Sequence, residues 1–451
     1  MMRSDLLIIG AGPGGYRAAE HAARNGLKVV VFEASQVGGT CLNAGCIPTK
    51  SFARNAEVMQ ALHEAEAFGL QQLHYQFDFS AVVARKEQVL ASLRSGIEGT
   101  LSHPNITLVR AEASFKDAYT LVADGEEYIA DHILVATGSS SKNLRLNEPL
   151  GRKVLEASDL LSSTTLPQSL CIVGAGVIGM EFASIFSAFG VEVTVVEFLK
   201  ECLPMLDSDI AKRLRKTLEK RGVTFCMQSS VTAITAEGVV YLDKKGVSHT
   251  VPAQEVLMAV GRSPRTEGLL LANAGIALDA RGAIPVNANL QVLLPDGKAL
   301  SHIYAIGDVN GMQMLAHAAE MQGIQAVNDI LGKLHGISLN IMPAAIFTHP
   351  EAACVGLSED QCKAQNVEYV CHKSFWRANG KALAMNESEG LLKLIASPEG
   401  EILGCHAFGA HAADLVQEAS VLMCKKTTVS ELADMVHIHP TLSEILKAAA
   451  E

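Results

Sequence analysis

The sequence predicts an α/β protein in which one strand–loop–helix–strand unit occurs twice and is followed by a separate α+β region. The units begin their loops at Gly10 and Gly174, and an acid follows each first glycine at the same distance, Glu33 and Glu197. Such a repeat indicates an internal duplication. Short apolar strands that alternate with helices favour parallel sheets covered by helices, so we expect two Rossmann-like domains. The last part, residues 336–451, changes to strands and helices without such a loop.

The first unit has the complete arrangement of a dinucleotide-binding motif. Its parts, in order, are a strand at Asp5–Ile9, the loop Gly10-Ala-Gly12-Pro-Gly-Gly15, a helix at Tyr16–Asn25, a strand at Lys28–Phe32 and the acid Glu33. Gly10 permits a tight turn, Gly12 lets a pyrophosphate approach the helix N-terminus, and Gly15 lets helix and strand pack closely. Glu33 is placed to accept hydrogen bonds from a ribose hydroxyl. The glycines alone could form a mere turn, but the whole unit predicts a nucleotide site.

The second unit repeats this arrangement and predicts a second nucleotide. It consists of a strand at Leu170–Val173, the loop Gly174-Ala-Gly176-Val-Ile-Gly179, a helix at Met180–Phe189, a strand at Glu192–Val196 and the acid Glu197. The Glu197 carboxylate suits a free ribose 2′-hydroxyl and repels a 2′-phosphate. Phe198 and Leu199 follow it, so no arginine is available there for a phosphate. We therefore expect NAD rather than NADP at this site.

The segment that follows the first unit, Gly38–Lys50, carries the cysteines Cys41 and Cys46. In a regular helix their Cα atoms would lie roughly 8–9 Å apart, beyond the reach of a disulfide. Asn43 and Gly45 tolerate unusual dihedral angles, so we expect a distorted backbone that brings the thiols together. A helix that starts here favours the thiolate form. The pattern predicts a redox pair, with two inert core cysteines or half of a zinc site as alternatives.

The remaining segments before the C-terminal region are mainly scaffold. We predict helices at Thr49–Phe68 and Ser80–Leu101, small antiparallel strands within Ile106–Ala130, and strands at Ile133–Ala136, Val256–Val260 and Ile303–Ile306. The last of these strands leads into Gly307-Asp308, which places Asp308 at the carboxyl end of a strand, where open α/β sheets bind ligands. A cap on a turn explains this aspartate equally well.

The C-terminal region ends in a histidine-rich segment. We expect strands within Ile346–Val355 and Gly390–Phe408 and helices at Asp414–Lys425 and Ser430–Val436. His437 and His439 would face the same side of an extended strand, which makes a metal pair conceivable, but no neighbouring carboxylate or cysteine completes it. Glu444 has two explanations. It forms a capping box with Thr441, or it orients one histidine as a base for thiol chemistry.

Length, charge and composition exclude several classes of function. A chain of 451 residues, 49% of them hydrophobic, is long enough for several cores. The net charge of −11 and the lack of a Lys/Arg cluster argue against a nucleic-acid surface. The most apolar run, Leu170–Phe186, contains Glu181 and three glycines, so we expect no membrane span. Scattered cysteines and a strand that starts at Leu6, without room for a leader, favour the cytoplasm.

The chain resembles the class I FAD-dependent pyridine nucleotide–disulfide oxidoreductase family over almost its whole length. The motifs that carry the resemblance are the two glycine loops, the Cys41–Cys46 segment, Ala136-Thr-Gly138, Gly261-Arg-Ser-Pro264, Tyr304-Ala-Ile-Gly-Asp308 and His437-Ile-His-Pro-Thr-Leu-Ser-Glu444. They point to the branch that oxidises dihydrolipoamide with NAD. The resemblance implies an FAD-binding domain at 1–143 completed by 265–335, an NAD-binding domain at 144–264 and an α+β dimerisation domain at 336–451.

The same resemblance implies the site residues, and it implies no metal. For FAD they are Gly10, Gly12, Gly15, Glu33, Thr40, Lys50, Ala113, Thr137, Gly138, Asp308 and Ala316. For NAD they are Gly174, Gly176, Val177, Ile178, Gly179, Glu197, Val231, Gly261 and Arg262. For catalysis they are Cys41, which exchanges with the substrate dithiol, Cys46, which faces the flavin, His439 with Glu444, which take up the substrate proton, and Lys50 with Glu181 near the flavin. Glu181 could also be an ordinary solvated glutamate, although its helix is apolar.

The resemblance further implies a homodimer that oxidises dihydrolipoamide on lipoyl carrier domains, within a 2-oxoacid dehydrogenase or glycine-cleavage system. The sequence does not say which system, and an assembly role could add to the catalytic one. Relatives with other substrates are the alternative. Glutathione and trypanothione reductases use NADPH and need arginines where Glu197 stands, mercuric reductases carry an extra cysteine pair near the C-terminus, and soluble transhydrogenases lack one motif cysteine. The last cysteine here is Cys424.

Overall fold

A computed structural model describes residues 2–144, 146, 151, 153–333 and 336–451. The chain divides into two compact units. Unit 1 contains Met1–Pro48, Ala84–Lys142 and Gly261–Leu339, and unit 2 contains Thr49–Val83, Asn143–Val260 and Asn340–Glu451. The predicted domain boundary after residue 335 lies outside the described residues.

The helices of the described residues have the following bounds: α1 (Pro13–Arg24), α2 (Gly39–Ala44), α3 (Cys46–His63), α4 (Phe79–Leu101), α5 (Ala157–Ser162), α6 (Val177–Ala188), α7 (Ser208–Lys220), α8 (Ala316–Ile330), α9 (Glu359–Gln365), α10 (Gly380–Ala384), α11 (Ala412–Cys424), α12 (Val429–Asp434) and α13 (Glu444–Ala450). Short 3₁₀ helices lie at Ala65–Phe68, Leu271–Ala274, Gly307–Asn310 and Trp376–Ala378. None of these helices is long and apolar enough to cross a membrane.

The strands have these bounds: β1 (Met2–Ile9), β2 (Val29–Phe32), β3 (Ile106–Val109), β4 (Ala113–Phe115), β5 (Thr120–Ala123), β6 (Glu126–Val135), β7 (Ser139–Ser141), β8 (Ser169–Val173), β9 (Glu192–Glu197), β10 (Thr224–Met227), β11 (Ser230–Ile234), β12 (Gly238–Leu242), β13 (Ser248–Pro252), β14 (Glu255–Met258), β15 (Arg262–Pro264), β16 (Gln291–Leu293), β17 (Ala299–Ala305), β18 (Ala344–Ile346), β19 (Glu351–Gly356), β20 (Val370–Phe375), β21 (Leu391–Ala396) and β22 (Ile402–Gly409).

Unit 1 is built on a sheet with the strand order β16-β17-β6-β1-β2-β3, in which β17, β6, β1, β2 and β3 run parallel. We predicted only antiparallel strands within Ile106–Ala130, and this is wrong for β3, which pairs with β2 in parallel. The reason is the helix α4 before it, because a helical crossover returns the chain to the sheet in the parallel direction. The other strands of this segment, β4 and β5, pair antiparallel with each other, and β5 pairs antiparallel with β6.

The continuous apolar runs of β1 and β2 explain why both faces of this sheet are covered. Leu6 and Ile8 pack on one face with the small residues of α1, whereas Leu7 and Ile9 belong to the cluster on the other face. The N-terminal glycine Gly14 of α1 lies against α8, since a Cβ there would come within 2.9 Å of the Ala319 carbonyl oxygen. The sequence thus places the first glycine loop at the carboxyl end of a strand that is buried on both sides.

Unit 2 contains the second strand–loop–helix–strand repeat and the C-terminal region. Its parallel sheet has the order β10-β9-β8-β14, a three-stranded sheet joins β11, β12 and β13, and an antiparallel sheet has the order β18-β19-β22-β21-β20. The segment Ile346–Val355 belongs to two antiparallel strands, β18 and β19, which are separated by a turn at His349-Pro350. A proline there cannot donate to the ladder, so the strand is interrupted.

Candidate active site and nucleotide sites

The thiol segment is two helices with one glycine between them. Helix α2 begins after Gly38, which has the left-handed φ of 92°, and ends at Ala44; Gly45 then adopts φ −146° and ψ −107° before α3 begins. Cys41 is the third residue of α2 and Cys46 the first residue of α3, and the two half-buried thiols lie near each other. The predicted distortion of the backbone is therefore confirmed.

The side chain of Asn43, between the two cysteines, has a different role from the one we expected. We named Asn43 with Gly45 as residues that tolerate unusual dihedral angles, but the break falls at Gly45 and Asn43 is an ordinary helical residue of α2. Its Nδ2 donates to the carbonyl oxygens of Val37 and Gly39 at 3.0 Å each. Its Oδ1 accepts hydrogen bonds from Arg94 of α4, at 3.2 Å from Nε and 2.9 Å from Nη2. Sequence reasoning missed Arg94, because no local pattern links positions 51 residues apart.

The structure brings Lys50 and Glu181 together. Lys50 lies one turn beyond Cys46 in α3, and its Nζ donates to Glu181 Oε1 at 2.9 Å and to Oε2 at 3.1 Å. The Glu181 side chain is only 5% exposed, so the solvated alternative is wrong. Glu181 Oε1 also accepts the backbone N–H of Phe347 at 2.9 Å, and Lys50 Nζ lies 4.6 Å from the centre of the Phe347 ring.

Two acids make the same pair of backbone contacts, Glu33 directly after β2 and Glu197 at the end of β9. Glu33 accepts the N–H of Ala11 at 2.8 Å and the N–H of Ser35 at 2.9 Å. Glu197 likewise accepts the N–H groups of Ala175 and Leu199, the latter at 2.7 Å. Each carboxylate thus holds its glycine loop against the end of its own strand. A carboxylate has further lone pairs with which it can accept a ribose hydroxyl.

The glycine loops fit the nucleotides that the sequence predicts for them. A Cβ at Gly15 would lie 1.9 Å from the Gly10 carbonyl oxygen, and one at Gly179 would lie 2.0 Å from that of Gly174, so only glycine allows this close packing. Among the residues that the structure describes, no side chain caps α1 or α6, which leaves the N–H groups of the first turn to an anion. Space in front of Gly176 is open, because no atom of the described residues lies within 4 Å of where a Cβ would be. Both loops therefore suit a pyrophosphate.

Gly261 and Arg262 lie in unit 1, which also holds the first glycine loop. Arg262, in β15, donates from Nε to Ser139 Oγ and from Nη2 to the Ser139 carbonyl, both at 2.7 Å. The Ser139 hydroxyl in turn donates to Asp308, whose carboxylate lies 3.9 Å from the Arg262 guanidinium. Asp308 is thus held by a polar cluster within unit 1. We predicted Arg262 as an NAD contact together with Gly174, and Gly174 is a residue of unit 2.

The other predicted nucleotide contacts have these positions. Thr40 lies in α2, Ala113 is buried in β4, Ala316 opens α8, Val177 and Ile178 open α6, and Val231 lies in β11. Thr137 donates from its hydroxyl to the Arg265 carbonyl oxygen at 2.6 Å, and Gly138 follows with φ 73°.

Each histidine of the C-terminal segment contacts its own carboxylate. His439 Nδ1 lies 2.9 Å from Glu444 Oε1, and His437 Nε2 lies 2.9 Å from Glu418 Oε1. Glu418 comes from α11, far from His437 along the chain, so the local sequence did not reveal this contact. His439 is 80% exposed at its side chain, whereas His437 is 7% exposed. Within the described residues, no group of three or more His, Cys, Asp and Glu side chains is placed to hold a metal ion.

Glu444 contacts both the backbone and the histidine. Its Oε2 accepts the Thr441 N–H at 2.9 Å. The Thr441 hydroxyl donates to the Ile438 carbonyl oxygen at 2.7 Å, so a reciprocal capping box does not form. The Thr441 N–H, followed by the contact with His439, lowers the pKa of the Glu444 carboxyl. Glu444 is therefore a fixed carboxylate that orients His439.

Comparison with known families matches residues 4–323 to the pyridine nucleotide-disulphide oxidoreductases and residues 342–450 to the pyridine nucleotide-disulphide oxidoreductase dimerisation domain. The dihydrolipoyl dehydrogenase of Mycobacterium tuberculosis (strain ATCC 25618 / H37Rv) is 38% identical over 460 residues, which cover 99% of this chain and 97% of the relative. That of Bacillus subtilis (strain 168) is 36% identical over 452 residues, 98% of this chain and 97% of the relative.

Solved structures of flavoprotein disulfide reductases and related proteins are also similar to this chain. LpdA from M. tuberculosis has a TM-score of 0.89 and 29% identity, covering 100% of this chain and 99% of that one. The HOCl-induced flavoprotein disulfide reductase RclA from Escherichia coli, as its Cu(II) complex, has a TM-score of 0.86 and 27% identity, with coverage of 100% and 99%. Proteins of this kind use FAD and NAD(H). The chain therefore belongs to the pyridine nucleotide-disulphide oxidoreductase family and is an oxidoreductase.

Proposed function

We propose that this chain is a dihydrolipoyl dehydrogenase, which oxidises dihydrolipoamide on lipoyl domains and reduces NAD+. The observation that carries the proposal is the pair of thiols that Gly45 brings together, with Cys46 at the start of α3. A thiol at a helix N-terminus is a good leaving group, because the helix dipole favours its thiolate. The relatives named dihydrolipoyl dehydrogenase match this chain over nearly their full length, and they support this choice of substrate.

The thiols exchange with the substrate in two displacements. A substrate thiolate attacks the Cys41 sulfur of the Cys41–Cys46 disulfide, and Cys46 leaves as a thiolate. The second substrate thiol then displaces Cys41, so the substrate closes its own disulfide and gives up two electrons and two protons. When bound, FAD supplies the route by which the electron pair passes on to NAD+.

His439 takes up the proton of the attacking substrate thiol. Because Nδ1 is hydrogen-bonded to the Glu444 carboxylate, this nitrogen carries the hydrogen in the neutral ring and Nε2 is the acceptor. The high exposure of His439 and of its neighbours Val436 and Ile438, 97% and 79%, suits a segment that a second copy of the chain covers. We infer a homodimer in which His439 serves the partner's thiols, and the match to a dimerisation domain supports it.

The nucleotide assignments follow from the two loops. Segments 1–143 and 265–335 would hold FAD, 144–264 would hold NAD, and 336–451 would form the interface. The presence of residues 261–339 in unit 1, together with the first loop, supports the split FAD-binding domain. We assign the chain to the cytoplasm on its scattered cysteines. We assign it to a 2-oxoacid dehydrogenase or glycine-cleavage system because its relatives are named dihydrolipoyl dehydrogenases.

Anaerobic titration with dihydrolipoamide tests the function. We expect a long-wavelength absorption band, which reports a Cys46 thiolate beside oxidised flavin, and rapid NADH formation when NAD+ is added. A reductase of another disulfide is the second candidate, because RclA matches the whole fold. Turnover of glutathione disulfide or another disulfide with NADPH, together with no turnover of dihydrolipoamide, would favour that candidate.

A further inference from the structure

Helix α2, which carries Cys41, has little apolar anchoring. It is six residues long, and Leu42 is its one buried residue in the described structure. Within the described part of the chain, no side chain caps its N-terminus. A helix this short is not stable through its own hydrogen bonds, so its position depends on contacts with the rest of the chain.

Asn43 supplies such contacts, and its hydrogen-bonding capacity is fully used. Both amide hydrogens go to carbonyl oxygens, of Val37 and Gly39, and both lone pairs of Oδ1 accept from the Arg94 fork. The orientation of the amide is unambiguous, because Arg94 can only donate and the carbonyl oxygens can only accept. The amide therefore links the turn before α2 to helix α4 through α2 itself.

We propose that Arg94 is a positioning residue for the thiol pair, acting through Asn43 to hold α2 where the Cys41 thiol meets Cys46. The inference rests on the proposed redox role of these thiols. Arg94 is half-buried, and its guanidinium fork matches the Asn43 oxygen with two donors. The acid one turn further along α4, Glu98, is bonded to Arg110, which leaves the Arg94 fork to Asn43.

A disulfide forms readily when its thiols are held in the reacting geometry, because the closing step then costs little entropy. Loss of the Arg94–Asn43 contact should let α2 move and lower the effective concentration of one thiol at the other. The dithiol form would then be favoured in equilibrium with an external dithiol. This shift is a property of the redox couple, which a loss of stability that is equal in the disulfide and dithiol forms does not produce.

The test is a double-mutant cycle on the holoenzyme with Arg94→Met, Asn43→Ser and the double variant. Each protein is equilibrated with reduced and oxidised dithiothreitol, quenched in acid and alkylated, and the fraction of alkylated Cys41 and Cys46 is read by mass spectrometry. We expect each single variant to shift the equilibrium constant toward the dithiol by about three- to tenfold. If Arg94 acts through Asn43, the double variant should be no worse than the worse single one.

Three further variants sharpen the result. Arg110→Met removes a comparable arginine that binds Glu98 and should leave the equilibrium unchanged. Arg94→Lys keeps one charged donor group, so its equilibrium constant should lie between those of the parent and of Arg94→Met. Asn43→Asp keeps the acceptor for Arg94 but removes both donors to Val37 and Gly39, so its equilibrium constant should still differ from that of the parent.

An unchanged equilibrium in Arg94→Met, or additive shifts in the double variant, would overturn the proposal. If Arg94→Met does not fold, Arg94→Lys decides, since an equilibrium constant equal to that of the parent counts against the role of the fork. The redox equilibrium with dithiothreitol does not require dihydrolipoamide to be the substrate. A failure of this inference is therefore distinct from a failure of the proposed function.

Discussion

Lys50 Nζ donates to both carboxylate oxygens of Glu181, at 2.9 and 3.1 Å, although 131 residues separate the two along the chain. The third partner is the backbone N–H of Phe347. Three hydrogen bonds satisfy a carboxylate that is almost fully buried, so the lysine is held at one point at the second turn of α3. A charge fixed in this way can act on a cofactor, whereas a mobile surface lysine cannot.

Replacing Glu181 with glutamine should disturb this arrangement with little change of shape. We expect the step between the cofactors to slow more than thiol exchange, as measured by stopped-flow reduction with NADH and with dihydrolipoamide. The free energy of unfolding should fall by about 1–3 kcal/mol, because Lys50 loses its charged acceptor. Ser184→Ala is the matched control, since Ser184 lies one turn further along α6 and its Oγ accepts the His349 N–H at 3.0 Å without a charge. Slower thiol exchange with normal NADH reduction would contradict this assignment.

Cys41→Ser should abolish turnover of dihydrolipoamide. The flavin should stay bound, because the glycine loop and Glu33 do not depend on the thiol. Activity with dihydrolipoamide and NAD+, together with the flavin absorbance of the purified protein, checks both parts. Cys424→Ser is the control, because this exposed cysteine is distant in sequence from the motif and should not matter. Substantial turnover by the Cys41 variant would refute the role of this thiol.

The unaltered protein should prefer NAD over NADP, because Glu197 repels a 2′-phosphate. Glu197→Ala should lose about 1–3 kcal/mol of NAD affinity through the lost ribose contacts. It should also loosen the loop, since the carboxylate holds the N–H groups of Ala175 and Leu199. Glu197→Gln keeps an acceptor and separates the two effects. Values of kcat/KM for NAD and NADP decide the question, and equal values in the unaltered protein would contradict the assignment.

Mixed dimers should show whether His439 acts on the partner's thiols. Cys41→Ser and His439→Ala are each expected to be inactive, and they are refolded together. If the base acts in trans, each mixed dimer contains one site with both lesions and one site with intact Cys41 and intact His439, so activity returns. If the base acts in cis, every site keeps one lesion and the mixture is as inactive as each parent refolded alone.

Stability should fall at acid pH partly through His406. This histidine is buried in β22, its Nδ1 accepts the Asp207 N–H at 3.1 Å, and burial lowers its pKa to about 4. Between that value and the ordinary pKa of about 6.5, the unfolded chain binds a proton that the native state does not. The free energy of unfolding therefore keeps its full value with respect to His406 at neutral pH. It falls by up to about 3 kcal/mol as the pH falls through this window.

His406→Asn provides an acceptor for the same N–H without a titrating group. The midpoint of urea unfolding should therefore decline less steeply from pH 7 to pH 5 in this variant than in the parent. His74→Asn, at an exposed position in a loop, is the control and should follow the parent. Parallel pH profiles for parent and His406→Asn would count against the role of His406.

The sequence was sufficient to predict elements whose signals are local. Glycine spacing predicted both loops, and the position of Gly45 predicted the break between α2 and α3. The Lys50–Glu181 pair was predicted from the family resemblance and the cost of burying a carboxylate. These features depend on residues within one turn or one motif, or on a strong physical penalty.

Contacts between distant segments could not be predicted in this way. Arg94 reaches Asn43, and Glu418 reaches His437, only because the fold packs α4 and α11 beside those segments. The parallel pairing of β3 was missed because β-strand patterns do not state direction, which the connecting helix determines. Asn43 was noted for its backbone, whereas its side chain makes the important contacts.

The matched contacts of Glu33 and Glu197 restrict how this chain could change its coenzyme. An enzyme that adopts NADP commonly exchanges the acid at the end of the second strand for a residue that tolerates a phosphate. Here the same exchange would leave the N–H groups of Ala175 and Leu199 without their acceptor. A single substitution of Glu197 would therefore change the coenzyme selectivity but also reduce the order of the loop. A coenzyme switch, in the laboratory or in evolution, would need at least one accompanying change that supplies a new acceptor to the loop.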